Sequence, residues 1–393
     1  MCQVRIGGEA GAGPARWGKG VAMSDLETIF VGRGLTRRDF LKGCGTLAAI
    51  MGLGQAAVPQ IAQALEQAAQ RPPVVWLDFQ ECLGCTESLS KSRYPDFSTI
   101  VLDMISLEYS EALMAGSGIQ AEKNYKDSVE GQKGKYVLVV EGSVATKIPN
   151  AMCVGGRQSV DIARESLANA ALVIAVGNCA AFGNVQAAYP NPTGAMGMLA
   201  FMQQEGMDTS KLVQLPTCPV NPVHVTSVIT YFLTYKKLPE VDQWRRPLMH
   251  FGRKVHDECP RRAHFDEGRF VEALGGPGED ERLCLYKMGC RGPHTYSDCA
   301  TVLWNNRSNW CIGSGQCIGC SEKDFWDDFQ DFYAPMPGVS VPGLGGIRVS
   351  ADTVGIGLAA VTGAAIVAHL GVSVAKGRLG KNQDETVVEE KEA

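Results

Sequence analysis

The sequence has no excess of positive charge. Its 37 Lys and Arg stand against 42 Asp and Glu, a formal net charge of -5, and no basic stripe runs along it. That excludes the electrostatic footprint of a nucleic-acid partner. The chain also lacks the smallness of a disulfide scaffold. Its 393 residues leave room for about two or three domains. Its 14 cysteines are therefore read by ligand spacing before they are read as bridges. One stretch, 354–374, lacks Asp, Glu, Lys and Arg altogether.

That stretch is long enough, at the helical rise, to span a bilayer, although its Ala, Gly and His369 keep open a buried helix as the alternative. Lys376, Arg378 and Lys381 follow it, which favours a cytoplasmic C-terminus, and 384–393 reads as a charged, disordered tail. At the other end, "LTRRDFLKG" (35–43) matches a twin-arginine (Tat) export pattern. Arg37 and Arg38 follow Thr36, Phe40, Leu41 and Lys42 complete it, and a small-residue apolar stretch (44–59) comes next. A surface helix is the bland alternative. "MSDLETIF" opens at Met23, so the first 22 residues are expected to precede the true start. The signal is expected to end before Arg71, and 1–70 is set aside from fold reasoning.

Between 74 and 238 short apolar runs alternate with helical patterns. Strands are expected over 74–79, 98–106, 135–143, 171–179 and 211–218, several buried on both faces, with helices over 156–170 and 224–238. That alternation predicts an α/β domain with a flavodoxin-like, doubly wound parallel sheet. Cys82 and Cys85 follow the first strand, Cys179 closes the fourth and Cys218 the fifth. Sites in such sheets form beyond the carboxyl ends of the strands, so these four thiols are expected on one edge. Four thiolates with one Cys-x-x-Cys pair suit a [4Fe–4S] cluster or zinc. Gly84, Gly177, Gly183, Pro216 and Pro219 around them let backbone approach a bulky group.

From about 239 the alternation stops. His256, Cys259, Cys284, Cys290, Cys299, Cys317 and Cys320 fall in an irregular segment too poor in hydrophobic runs for a large apolar core. Metal–ligand bonds would supply the missing cross-links. The seven divide as four (His256, Cys259, Cys284, Cys290) plus three (Cys299, Cys317, Cys320).

"ECLGCTE" (81–87), "EGS" (141–143), "GNCAAFG" (177–183), "LPTCPVNP" (215–222), "HDECPRRAHFDEGRF" (256–270), "CLYKMGCRGPHTYSDC" (284–299) and "CIGCSEKDFWD" (317–327) together resemble the small subunit of [NiFe] hydrogenases, in order from Val74 to Tyr333. The resemblance implies three iron–sulfur clusters. Cys82, Cys85, Cys179 and Cys218 match the proximal [4Fe–4S] ligands. His256, Cys259, Cys284 and Cys290 match the distal [4Fe–4S] ligands, and Cys299, Cys317 and Cys320 the medial cluster, usually [3Fe–4S]. The Ni–Fe site lies in a separate large subunit, whose paired Cys-x-x-Cys motifs this chain lacks, so no catalytic metal is expected here. The implied activity is H2 oxidation, with electrons passed to a membrane cytochrome b or other membrane acceptor subunit. Export would proceed through the Tat translocase to the periplasmic face of the membrane.

Several residues stand apart. Cys311 follows Trp310 where many members carry proline, and is a candidate fourth medial ligand that would convert [3Fe–4S] to [4Fe–4S]; a buried thiol packed on Trp310 is the alternative. Glu81 is a candidate proton relay or a contact with the large subunit, or merely a paired acid. Gly84 and Asn184 stand where oxygen-tolerant members carry two extra cysteines, which argues against a six-cysteine proximal cluster. Cys2 and Cys44 fall in the N-terminal extension, and Cys153 is expected to be a buried thiol. The expected organisation is thus an extension and signal (1–70), the α/β domain (71–238), an iron–sulfur domain (239–335), a linker (336–353), a membrane helix (354–374) and a tail (375–393). Two rivals remain. The quinone-side iron–sulfur subunit of respiratory complex I shares a related α/β domain but has adjacent cluster cysteines and no seven-ligand segment. A secreted zinc- or disulfide-stabilised binding protein would contain no iron or labile sulfide.

Overall fold

The computed structural model describes residues 37–67, 71–93, 95–305, 310–335, 339–340, 348–349 and 351–377. Thr36, Cys2, Met23, most of the linker, Arg378, Lys381 and the acidic tail lie outside the described residues, as do the side chains of Arg37 and Trp310.

Five strands form the central sheet: β1 (Pro73–Asp78), β2 (Ser106–Ser110), β3 (Val137–Glu141), β4 (Leu172–Val176) and β5 (Leu212–Leu215). Their order is β2-β1-β3-β4-β5 and every pairing is parallel, the doubly wound order expected. β3, β4 and β5 are buried along their whole length, because helices cover both faces. Successive side chains alternate between the two layers. Val75, Leu77, Leu138 and Val140 enter one core with Tyr125 and Val129 of a helix at Ile119–Gly131 and with Ile162 and Leu167 of a helix at Ser159–Asn169. Val74, Trp76, Val137, Val139 and Ile174 enter the other, with Val225, Val228 and Leu233 of a helix at Pro222–Tyr235. Each such side chain contributes about 1.5–3 kcal/mol of apolar burial.

The segment expected as a strand at 98–106 is helical instead. Asp96 caps it by accepting from the Thr99 amide at 2.8 Å, and a wide turn follows over Ile100–Met104. Ile100 and Met104, four apart, are its buried positions, a helical spacing that the apolar run disguised. The strand itself is the more polar Ser106–Ser110, at the sheet edge. The Pro222–Tyr235 helix begins before the expected 224, since Asn221 caps it through the Val223 amide and Pro222 occupies its first turn.

Residues 239–335 are irregular, as expected; every described helix in them spans five residues or fewer. The segment 37–67, set aside above, forms a helical pair (Arg37–Ile50 and Val58–Gln67) that buries Cys44, Leu47, Met51 and Ile61 against Tyr231 and Met249. A separate unit, 335–393, contains a helix at Ala351–Ala375, of which Thr353–Ala375 is long and apolar enough to cross a membrane.

Candidate metal centres

The first set of thiols gathers beyond the carboxyl ends of β1, β4 and β5. Cys82 follows β1, and Cys85 lies in a short helix (Gly84–Ser90). Cys179 lies in the helix Gly177–Phe182 directly after β4 rather than at the strand end, and Cys218 follows β5. Gly177 makes the approach possible: its φ is +80, and a Cβ there would stand 2.5 Å from Cys85 Sγ. A Cβ on Gly84 would stand 3.0 Å from Cys82 Sγ. Donors point at the sulfurs. Asn184 Nδ2 donates to Cys179 Sγ at 3.0 Å and to Cys218 Sγ at 3.6 Å, and the Val220 amide donates to Cys85 Sγ at 3.4 Å. Burial, then the neighbouring Glu141, pushes the Cys85 thiol well up. Burial raises Cys218 and pushes Cys179 up to about 11. Cys218 and Cys179 raise Cys85, and Cys82 raises both Cys179 and Cys218, so the four share one neighbourhood. Thiols held protonated by burial, ringed by glycine and amide donors, fit a metal cluster whose binding displaces those protons.

Acids stand beside this set. Glu141, at the end of β3, is buried and accepts from the amides of Cys85 (2.8 Å) and Thr86 (2.9 Å) and from Thr86 Oγ1 (2.7 Å). Burial, then Glu141, raises Asp78 to about 7 and Glu81 to about 8; burial also raises Glu111 to about 7.

His256, Cys259, Cys284 and Cys290 line one pocket, together with Ile312 and Cys317. The amides of Arg261 and Gly292 donate to Cys259 Sγ and Cys290 Sγ, each at 3.4 Å. His256 packs edge-on against Phe265 at 4.5 Å, and burial, then Arg262, lowers its pKa, favouring the neutral ring that ligates metals. Burial raises Cys259 and Cys284.

In the third set Cys299 Sγ lies 2.9 Å from Ser297 Oγ, and burial pushes its thiol up to about 12. Cys317 and Cys320 are pushed well above their ordinary value, again by burial first. Cys311 adds to the shifts of both Cys299 and Cys320, so it stands within electrostatic reach of this set. Cys317 also lines the pocket of the second set, and Cys320 meets the residue before Cys179 of the first, so the third set borders both others. Asn178 ties it to the sheet, donating to the Cys320 carbonyl at 3.0 Å.

One expectation is corrected. Cys153 is exposed, in a short hairpin pairing Cys153–Val154 with Arg157–Gln158. One residue and one role were missed. Asn184, named above only for not being a cysteine, lies in the left-handed region at φ 52, where its amide donates to sulfur and its carbonyl accepts from Trp326 Nε1. Arg291, fully buried next to Cys290, donates to the carbonyls of Gly289, Phe329, Asp331 and Ala334, while its amide donates to the Cys317 carbonyl at 2.7 Å. A charge directly after a ligand cysteine was its only signal in the sequence.

A parallel α/β domain with thiols at its carboxyl edge, continued by an irregular cysteine-rich segment, defines a class of iron–sulfur electron-transfer subunits. The comparisons give the family. Residues 251–333 match the profile of the C-terminal part of the NiFe/NiFeSe hydrogenase small subunit, and 82–232 match that of the NADH ubiquinone oxidoreductase 20 Kd subunit. The chain is 43% identical to the uptake hydrogenase small subunit of Azotobacter vinelandii (90% of this chain, 98% of that one). It is 40% identical to the hydrogenase-1 small chain of Escherichia coli K12 (93% and 97%). It is 39% identical to the quinone-reactive Ni/Fe-hydrogenase small chain of Wolinella succinogenes (87% and 97%). Its fold matches the Ni-Fe-Se hydrogenase of Desulfomicrobium baculatum with a TM-score of 0.63 at 33% identity, over 67% of this chain and 99% of that one. The chain belongs to the small subunits of [NiFe] hydrogenases. It is the electron-relaying, iron–sulfur subunit of a hydrogenase and pairs with a large subunit.

Proposed function

We propose that this chain relays electrons from H2 oxidation through three clusters in a row. The first set (Cys82, Cys85, Cys179, Cys218) holds a proximal [4Fe–4S] cluster nearest the partner's Ni–Fe site. The second (His256, Cys259, Cys284, Cys290) holds the distal [4Fe–4S] cluster. The third (Cys299, Cys317, Cys320) holds a medial cluster, [3Fe–4S] with three thiolates or [4Fe–4S] if Cys311 supplies a fourth. The observation that carries this reading is that Cys317 lines the pocket of the second set, while the Cys320 carbonyl accepts from Asn178, the residue before Cys179 of the first. Bound clusters supply one-electron transfer with little structural change. The protein's own part is to hold them in order: Asn184 and the Val220, Arg261 and Gly292 amides direct donors at ligand sulfurs, and Arg291 fastens the Cys290 loop to the Cys317 loop. With Gly84 and Asn184 in place of further thiols, the proximal site is the four-cysteine kind. Glu81 is assigned a part in proton transfer or in contact with the large subunit. Glu81→Gln separates these, since only the first slows H/D exchange while subunit association stays intact.

The same reading places the heterodimer on the periplasmic face of the cytoplasmic membrane. Arg37 and Arg38 are read by the Tat translocase, and the helix at Ala351–Ala375 is the anchor, with its C-terminus cytoplasmic and Lys376 at that end. Electrons then leave to a membrane cytochrome b or other membrane acceptor subunit. Relatives named uptake and quinone-reactive hydrogenases support this direction. EPR of the oxidised, intact heterodimer tests the cluster assignment. A [3Fe–4S] signal that is absent in the native enzyme and appears in Cys311→Ser assigns Cys311 as a ligand. A full-intensity signal in the native enzyme leaves the medial site with three thiolates. A preparation without iron and labile sulfide overturns the reading.

A further inference from the structure

Outside the three sets, two histidines and an aspartate converge on one buried point. His224 lies in the first turn of the Pro222–Tyr235 helix, His250 in a short helix at Leu248–Phe251, and Asp298 immediately before Cys299. All three are buried. Asp298 Oδ1 is 2.7 Å from His224 Nε2, and Asp298 Oδ2 is 2.7 Å from His250 Nδ1. The rings stack with centroids 4.1 Å apart, and one ligand atom from each residue lies within 4.8 Å of the others.

Charge and hydrogen-bond accounting ask for a cation. The Asp298 carboxylate is a buried charge, and among the described residues its ion partners are these two histidines. Ser227 Oγ donates its one proton to the His224 carbonyl at 2.9 Å and lies 2.6 Å from His250 Nε2. With Ser227 accepting from Nε2–H, a cation, either a metal ion or a second ring proton, lies between Nδ1 and the carboxylate. Such an outer partner on the second ring nitrogen is the usual way a ligating histidine is fixed. His224 Nδ1 has no hydrogen-bond partner, so nothing else in the fold fixes that ring's tautomer. A tetrahedral ion with bonds of about 2.0–2.2 Å sets its donors about 3.3–3.6 Å apart, so the two 2.7 Å nitrogen–oxygen pairs open by somewhat under about 1 Å when it binds.

We propose that His224, His250 and Asp298 form a buried structural site for a first-row divalent cation, zinc fitting best. Two imidazoles and a chelating carboxylate supply four donors and leave no open position, which suits a structural ion rather than a catalytic one. The ion pins the loop carrying Cys299 to the helix that follows Cys218, and sets a positive charge one residue from Cys299.

The test uses the heterodimer, purified with chelator and without added metal. Anomalous maps collected above and below the zinc edge, with elemental analysis, should show one zinc at bonding distance from both imidazoles. Asp298→Asn should lose that zinc and keep its iron. No anomalous peak at this point in the native enzyme, as for a network holding only protons, overturns the proposal whether or not the variant folds. The map is read independently of the iron–sulfur assignment.

Discussion

Replacing Asn184 removes one amide donor shared by two sulfurs of the first set, with Cys179 the nearer. Its amide donates to Cys179 Sγ at 3.0 Å and its carbonyl accepts from Trp326 Nε1. The backbone is left-handed at φ 52, so glycine removes the side chain without strain. Aspartate keeps the acceptor for Trp326 and removes the donor. A hydrogen bond to a charged group is worth about 1.5–3 kcal/mol. Only the part that differs between oxidation states moves a potential. Taking about a third gives ~0.5–1 kcal/mol, or a fall of ~20–40 mV for one electron, at 59 mV per tenfold change. The sign follows because a donor favours the more negative, reduced state. The assay is an EPR-monitored redox titration of the proximal cluster in the heterodimer. Asn184→Gly should lower its midpoint by that amount, and Asn184→Asp should lower it further through the added charge. An unchanged or raised midpoint in a fully loaded Asn184→Gly enzyme would refute the reasoning.

Gly177→Ala combines a φ of +80 with a Cβ 2.5 Å from Cys85 Sγ. Backbone strain alone costs about 1–2 kcal/mol, so the variant should lose proximal iron and keep the rest; full iron content would contradict this. Arg291→Lys keeps the charge but brings three donors to four carbonyls. At least one carbonyl loses its partner, at about 1–3 kcal/mol, so distal and medial clusters should bleach faster on heating, and an unchanged half-life counts against the clamp. Removing residues 352–393 should release a soluble enzyme that still reduces artificial dyes; its retention in washed membranes would put the anchor elsewhere.

The core strands were legible because Val137–Glu141, Leu172–Val176 and Leu212–Leu215 are apolar runs buried on both faces, a pattern that needs no tertiary knowledge. The edge strand was not, because Ser106–Ser110 is more polar than the apolar turn before it. The grouping of cysteines was visible in their spacing, since strand ends fix one edge of the sheet. Asn184, Arg291 and the His224–His250–Asp298 cluster were not visible. The partners of Arg291 and of the cluster lie far away in sequence, as with Asp298 and His224, 74 residues apart, whereas Asn184 needs the left-handed turn at its own position to reach Cys179, five residues back. Cys153 was misjudged because a lone cysteine carries no spacing, and only the fold decides what covers it.

The central claim is that electrons from H2 at the partner's site enter this chain and pass along its three sets of ligands. Adding H2 to the oxidised, purified heterodimer, and following the clusters by freeze-quench EPR, tests it most directly. The account predicts that all three clusters become reduced within the enzyme's turnover time, and that His256→Cys slows passage to an external acceptor while H2 still reduces the proximal cluster. Clusters that stay oxidised under H2, in a heterodimer whose Ni–Fe site is active, would contradict it.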